Sequence, residues 1–253
     1  MKIYPIPAFD DNYLWLASAG ERALVVDPGD ARAVIRALTQ HSLHLDSILI
    51  THHHADHVGG VAELVSRYGA RVHGPRDERV GPVDDVLGDG DQLELPWLDV
   101  RFSVLEVPGH TRSHIAYYGG DALFCGDTLF AGGCGRLFEG TPAQMWHSLS
   151  RIASLPLHTR IHCAHEYTEA NLRFALAVEP GNHALRARIR SVATLRAAGR
   201  PSVPSTLAEE LATNPFLRVR EPAVIARAQE HAGRVLATPV EVFEVLRAWK
   251  DVF

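Results

Sequence analysis

The chain has 253 residues, with 25 Lys plus Arg against 30 Asp plus Glu, a formal charge of −5, and 46% apolar and 22% charged residues. That balance fits one large or two modest folded domains, excludes a disordered chain, and leaves no sequence-wide basic field for nucleic acid or an anionic membrane. Three Cys are too few for a disulfide framework, the start carries no secretory h-region, and no apolar run is long enough to span a bilayer, so a soluble cytoplasmic protein is expected.

The first part alternates short apolar runs with turn signals. Ala23 to Val26 reads as a buried strand closed by Asp27-Pro28-Gly29, and Asp30 is placed to cap a helix over Ala31 to Leu38. Ser47 to Ile50 reads as a second buried strand, followed by a His-rich loop and an amphipathic helix from about Gly60 to Tyr68. Arg71 to His73 is a third strand, and Gln92 to Leu105 holds two more with Trp97 and Phe102 as core residues. Ile115 to Tyr118 and Ala122 to Cys125 flank Gly119-Gly120 as a hairpin. Thr141-Pro142-Ala143-Gln144 opens a helix through Leu155, and Arg160 to Cys163 is a last strand.

Beyond residue 165 the pattern becomes helical. Thr168 to Val178, Asn182 to Ala198 and Thr206 to Thr213 have helical spacing, and Thr238-Pro239-Val240-Glu241 opens a helix that runs almost to Phe253. No strand is expected after Cys163. The sequence therefore divides into a strand-and-helix domain over 1–165 and a helical domain over 166–253.

Histidine is out of proportion, with 15 in the chain and four of them at 52, 53, 54 and 57. Just past a strand, residues at i and i+2 point the same way, so His52 and His54 can converge on one ion. Asp56 and His57 fall where the loop turns into a helix and point elsewhere, which suits two neighbouring ions better than one. Three more candidate ligands, His110, Asp127 and His165, each follow an apolar strand. Loops on one edge of a rigid scaffold are where sites are assembled. Imidazole suits zinc or iron, and carboxylate oxygen extends the range to manganese.

The strings THHHADHVGG, VPGHTRSH, FCGDTLF and CAHEYT resemble the metallo-β-lactamase superfamily. The similarity is closest to glyoxalase II, the hydroxyacylglutathione hydrolases, because it runs the full length, through VVDPGD and EGTPAQM to STLAEELATNPFLRVR and the terminal Arg247-Ala248-Trp249-Lys250. The resemblance implies an α+β fold, an αββα sandwich with a C-terminal α-helical domain that binds substrate. It implies two divalent ions, zinc first with iron or manganese as alternatives. His52, His54 and His110 would hold one, Asp56, His57 and His165 the other, and Asp127 would bridge. It further implies hydrolysis of a glutathione thioester such as S-D-lactoylglutathione by a metal-bridging hydroxide, with Asp56 and Asp127 as catalytic groups.

By the same resemblance Arg247 and Lys250, one helical turn apart, match a clamp on a glutathione carboxylate, and Tyr167 and Arg136 match other tripeptide contacts. Phe138 stands where relatives often have Tyr, which removes one hydrogen bond. The expected partner is this small molecule alone, with no nucleic acid, no membrane and a monomeric chain.

Overall fold

The computed structural model describes residues 1–253, and the chain divides into two compact units, Met1–Glu106 with Ser113–Gly126, and Val107–Arg112 with Asp127–Phe253. In the first unit the elements are β1 Lys2–Ala8, β2 Asn12–Ala19, β3 Arg22–Val26, α1 Ala31–His41, β4 His44–Leu49, α2 Ala55–Val58, α3 Val61–Tyr68, β5 Arg71–Pro75 and β6 Asp85–Leu87. They are followed by β7 Gln92–Leu95, β8 Val100–Glu106, β9 Ile115–Gly119 and β10 Ala122–Gly126. Strands β1 to β6 form one sheet in chain order, antiparallel from β1 to β3 and parallel from β3 to β6. Parallel neighbours need crossovers, and α1 and α3 supply two of them. Strands β7 to β10 form an antiparallel meander.

Each helix buries one stripe on the first sheet. Asp30 Oδ1 accepts from the Arg32 and Ala33 amides, which fixes the start of α1, and Ala31, Ala33, Val34 and Leu38 then pack with Leu16, Val25 and Ile48. Full burial of an aliphatic side chain such as Val34 or Leu38 stabilises by about 1.5–3 kcal/mol. The meander is tied to the first sheet by polar links. Tyr117 on β9 donates its hydroxyl to the Ile50 carbonyl at 2.8 Å, and the Ile115 amide donates to the Thr51 carbonyl at 3.0 Å. These two bonds hold the loop after β4, where the His cluster lies.

The second unit holds β11 Leu129–Phe130, β12 Gly133–Cys134, α4 Pro142–Ala153, β13 Arg160–Cys163, α5 Thr168–Val178, α6 His183–Ala197, β14 Ser205–Thr206, α7 Leu207–Thr213, α8 Pro222–Ala232 and α9 Pro239–Asp251. Capping boxes form at both of the expected helix starts, Thr141 with Gln144 and Thr238 with Glu241. A core of Leu172, Ala175, Leu185 and Val192 joins α5 to α6. No helix is long and apolar enough to cross a membrane.

The structure departs from the sequence expectations in several elements, the short strands β6, β11 and β12 among them. Strands β1 and β2 carry no expectation, because Pro5 and Pro7 interrupt the first run. As an edge strand, β1 tolerates prolines, which have no amide to donate. Trp97 is not a core residue: it lies half-exposed in the turn after β7, with the Arg22 guanidinium 5.0 Å from its ring, and Leu98 is the buried neighbour. A strand does follow Cys163, namely β14, two residues paired antiparallel with β13 and too short to leave a pattern. Helix α8, which Pro222 opens, was also not anticipated.

Candidate metal centre

The first unit supplies four of the candidate ligands from one short loop and the turn into α2. Asp27, at the end of β3, organises them. Its Oδ1 accepts the Thr51 amide at 2.7 Å, and its Oδ2 accepts the Thr51 hydroxyl at 2.7 Å and His57 Nδ1–H at 3.0 Å. Since the Thr51 hydroxyl donates to Asp27, its oxygen is left to accept from His52 Nδ1 at 3.0 Å. His52 and His57 are therefore held in one tautomer, with Nε2 free of the proton and usable as a ligand. His54 Nδ1 lies 3.1 Å from His52 Nε2, and Asp56 Oδ2 lies 3.4 Å from His57 Nε2. Asn12 donates to that Asp56 oxygen at 2.9 Å. The donors thus form two pairs, His52 with His54 and Asp56 with His57.

Local backbone makes this possible. Gly29 in the Asp-Pro-Gly turn is so close to the α2 turn that a Cβ there would lie 1.9 Å from the Asp56 carbonyl oxygen. His53 is turned away and sits 3.5 Å from Asp77. His114 is fully buried. Its Nδ1 donates to the Ile115 carbonyl at 3.0 Å and its ring stacks on His52 at 4.6 Å.

The second unit supplies His110, Asp127 and His165. Nδ1 of His110 donates to the Arg136 carbonyl at 2.9 Å, which again leaves Nε2 usable as a ligand. His110 Nε2 is 3.3 Å from Asp127 Oδ2, and His165 Nε2 is 3.3 Å from Asp127 Oδ1. One carboxylate therefore presents a different oxygen to each of two imidazoles. Gly135 packs so tightly beneath that a Cβ would lie 2.0 Å from the Asp127 carbonyl oxygen.

These spacings fit metal ligands. On a tetrahedral ion with nitrogen and oxygen ligands about 2.1 Å away, neighbouring ligand atoms are roughly 3.4 Å apart. The four donor pairs span 3.1 to 3.4 Å. Asp27 forms a compact group with His52 and His57, with both its oxygens accepting hydrogen bonds from Thr51 and His57.

The five expected substrate contacts all lie in the second unit. Tyr167 stacks on His165 at 4.8 Å and 6°, and Phe138 meets the edge of His110 at 5.1 Å and is 63% exposed. Arg247 on α9 is buried: one guanidinium nitrogen donates to the Cys134 carbonyl at 2.9 Å and another to Asp251 at 3.0 Å. Lys250 is half-buried with its ammonium 5.6 Å from the Phe174 ring, and desolvation followed by the nearby Arg247 charge lowers its pKa. Arg136 is exposed, with Nε 3.5 Å from Asp251. Sequence reasoning missed Asp27, Thr51 and Asn12. The Asp-Pro-Gly turn after a buried strand was the available signal for the first.

The comparisons with known proteins agree with this geometry. The family model "Metallo-beta-lactamase superfamily" matches residues 9–180, and "Hydroxyacylglutathione hydrolase C-terminus" matches residues 166–253. The hydroxyacylglutathione hydrolase of Dechloromonas aromatica (strain RCB) is 53% identical, with all of both chains covered. This chain belongs to the hydroxyacylglutathione hydrolase family of the metallo-β-lactamase superfamily. Its α+β architecture with a helical C-terminal region is that superfamily's fold. Among solved structures, ETHE1 from Myxococcus xanthus is 26% identical with a TM-score of 0.66, covering 100% of this chain and 99% of that one. TTHA1623 in a di-iron-bound form is 34% identical with a TM-score of 0.56, covering 64% of this chain and 91% of that one.

Proposed function

We propose that the protein hydrolyses S-(2-hydroxyacyl)glutathione thioesters, S-D-lactoylglutathione among them, to glutathione and a 2-hydroxy acid. The observation that carries this reading is full-length identity above one half to a hydroxyacylglutathione hydrolase, which includes the helical region where the tripeptide would bind. Residues 1–165 would form the catalytic domain and residues 166–253 the substrate domain.

His52, His54 and His110 would hold one divalent ion and Asp56, His57 and His165 a second, with Asp127 giving one oxygen to each. Support comes from the two pairs of donors in the first unit and from the two Asp127 oxygens, each 3.3 Å from a different imidazole. A set rich in nitrogen with some carboxylate, and no Cys, suits zinc in an open site, with iron or manganese as alternatives. Such ions would supply a water whose pKa is lowered to around 7 and would polarise the thioester carbonyl.

The chain's own residues do the remaining work. Asp56, tethered by Asn12, would orient the attacking water. Attack on the carbonyl carbon and breakage of the carbon–sulfur bond release the acid and the thiol. Lys250 and Arg247 would engage a glutathione carboxylate, with Arg136 and Tyr167 contacting the rest of the tripeptide. Phe138 lacks the hydroxyl that relatives often carry there, worth about 0.5–1.5 kcal/mol of binding. The enzyme would act as a monomer in the cytoplasm, where its three buried cysteines, none in a disulfide, fit a reducing compartment.

The test is a substrate panel on one purified sample. S-D-lactoylglutathione should be hydrolysed with a kcat/KM at least a hundredfold above that of a small thioester without the tripeptide, and a β-lactam and a glutathione persulfide should not turn over. Equal activity on both thioesters would remove glutathione from the assignment.

A further inference from the structure

Around the C-terminal turn of α9 three cations, Arg136, Arg247 and Lys250, meet one anion, Asp251. Arg247 is 5% exposed at its side chain, and the Cys134 carbonyl and thiol take one of its terminal nitrogens. The other terminal nitrogen donates to Asp251 Oδ1 at 3.0 Å, and the same oxygen lies 3.5 Å from Arg136 Nε. The one terminal nitrogen of Arg247 not spent on Cys134 is thus already engaged by a carboxylate of the chain itself.

Helix stability does not account for Asp251. An acidic residue in the last turn of a helix opposes the macrodipole, and an Arg-to-Asp pair at i,i+4 has the less favourable orientation. The Asp251 side chain is 41% exposed and sits on the terminal turn, so it is able to swing into solvent. It also cancels one of the three local positive charges, leaving two.

We propose that Asp251 is an internal competitor for the substrate carboxylate. It occupies the Arg247 and Arg136 donors in the free protein, and a glutathione carboxylate must displace it in order to bind. This rests on the reading of Arg247 and Lys250 as carboxylate-binding groups. A built-in competitor weakens binding of substrate and of product thiol alike, because both present the same tripeptide. It therefore limits retention of glutathione after hydrolysis while it sets a ceiling on affinity for the thioester.

The experiment compares the parent, Asp251→Asn, Asp251→Ala and Lys250→Ala as full-length metal-loaded proteins at low and high ionic strength. Asp251→Asn and Asp251→Ala should each lower KM for S-D-lactoylglutathione about three- to tenfold at low salt. The inhibition constant for free glutathione should fall by the same factor, kcat should not rise with it, and the gain should shrink in high salt. Unchanged or raised KM in both Asp251 variants overturns the competitor role. The Lys250→Ala arm separates that failure from a failure of the underlying assignment: a raised KM there keeps the carboxylate site, and an unchanged KM removes it. The thermal midpoint of each variant, within a few degrees of the parent, shows that the affinity change is not a folding defect.

Discussion

Replacing Glu210 with Ala should unfold the helical region early. Glu210 on α7 is fully buried. One of its oxygens pairs with the Arg188 guanidinium, and the other accepts from the Gly132 amide at 2.8 Å and from Asn214 Nδ2 at 3.1 Å. Arg188 on α6 is 4% exposed and has one further strong partner, the Thr213 hydroxyl at 2.7 Å. Truncation leaves the buried guanidinium only the more exposed Glu209 carboxylate, 3.5 Å from its Nε, as counterion and strips an acceptor from the β11–β12 turn. Breaking a buried pair from one side costs about 3–5 kcal/mol. For a chain of this size each kcal/mol moves the midpoint by about 2–4 °C, so Tm should fall by roughly 6–20 °C. Glu210→Gln keeps acceptors for Gly132 and Asn214 but loses the charge, and its midpoint should fall between the two. Thermal unfolding followed by circular dichroism measures both. A loss under about 2 °C for the Ala variant would refute the claim that this pair joins α6 and α7 to the turn.

Asp27→Asn keeps an acceptor near Thr51 in a residue type that accepts the φ of 50° found there, but weakens the hold on His57 Nδ1–H. Metal affinity by chelator competition should drop about 10–100-fold with an unchanged circular dichroism spectrum, and a parent-like affinity would mean that Asp27 does not orient the ligands. His162 is buried, and desolvation pushes its pKa down to about 3. The unfolded chain, near 6.5, then binds a proton that the folded chain refuses, so this residue's stability is present above about pH 6.5 and lost as pH falls towards 3. On metal-free protein, His162→Gln should show a shallower decline in Tm from pH 6.5 to 4, and identical slopes would contradict the assignment.

The candidate ligands were picked out in the sequence because three separate apolar strands are each followed by a His or Asp, and because four His crowd residues 52 to 57. The helices of the tail were legible through their 3.6-residue spacing, and at Thr238 through its cap; Asn182 and Thr206, read as the first helical residues, are in the structure the caps that accept an amide. What stayed hidden depends on contacts distant in sequence. Asp27 is separated by 24 and 30 residues from Thr51 and His57, so nothing local marks it as their organiser. Arg247 read as a cation on a helix face, yet its guanidinium reaches Cys134, 113 residues away. Edge strand β1 and the two-residue β14 are set by their partners and not by periodicity.

The most direct test of a two-ion hydrolase is to count metal in the parent and in Asp127→Ala alongside the thioesterase assay on the same samples. The parent should approach two ions per chain and hydrolyse S-D-lactoylglutathione. Asp127→Ala should lose at least one ion and nearly all activity while keeping its fold, because the carboxylate shared by His110 and His165 is gone. A parent that reproducibly carries a single ion with full activity, or an Asp127→Ala protein that retains both ions and an unchanged kcat, would contradict the account.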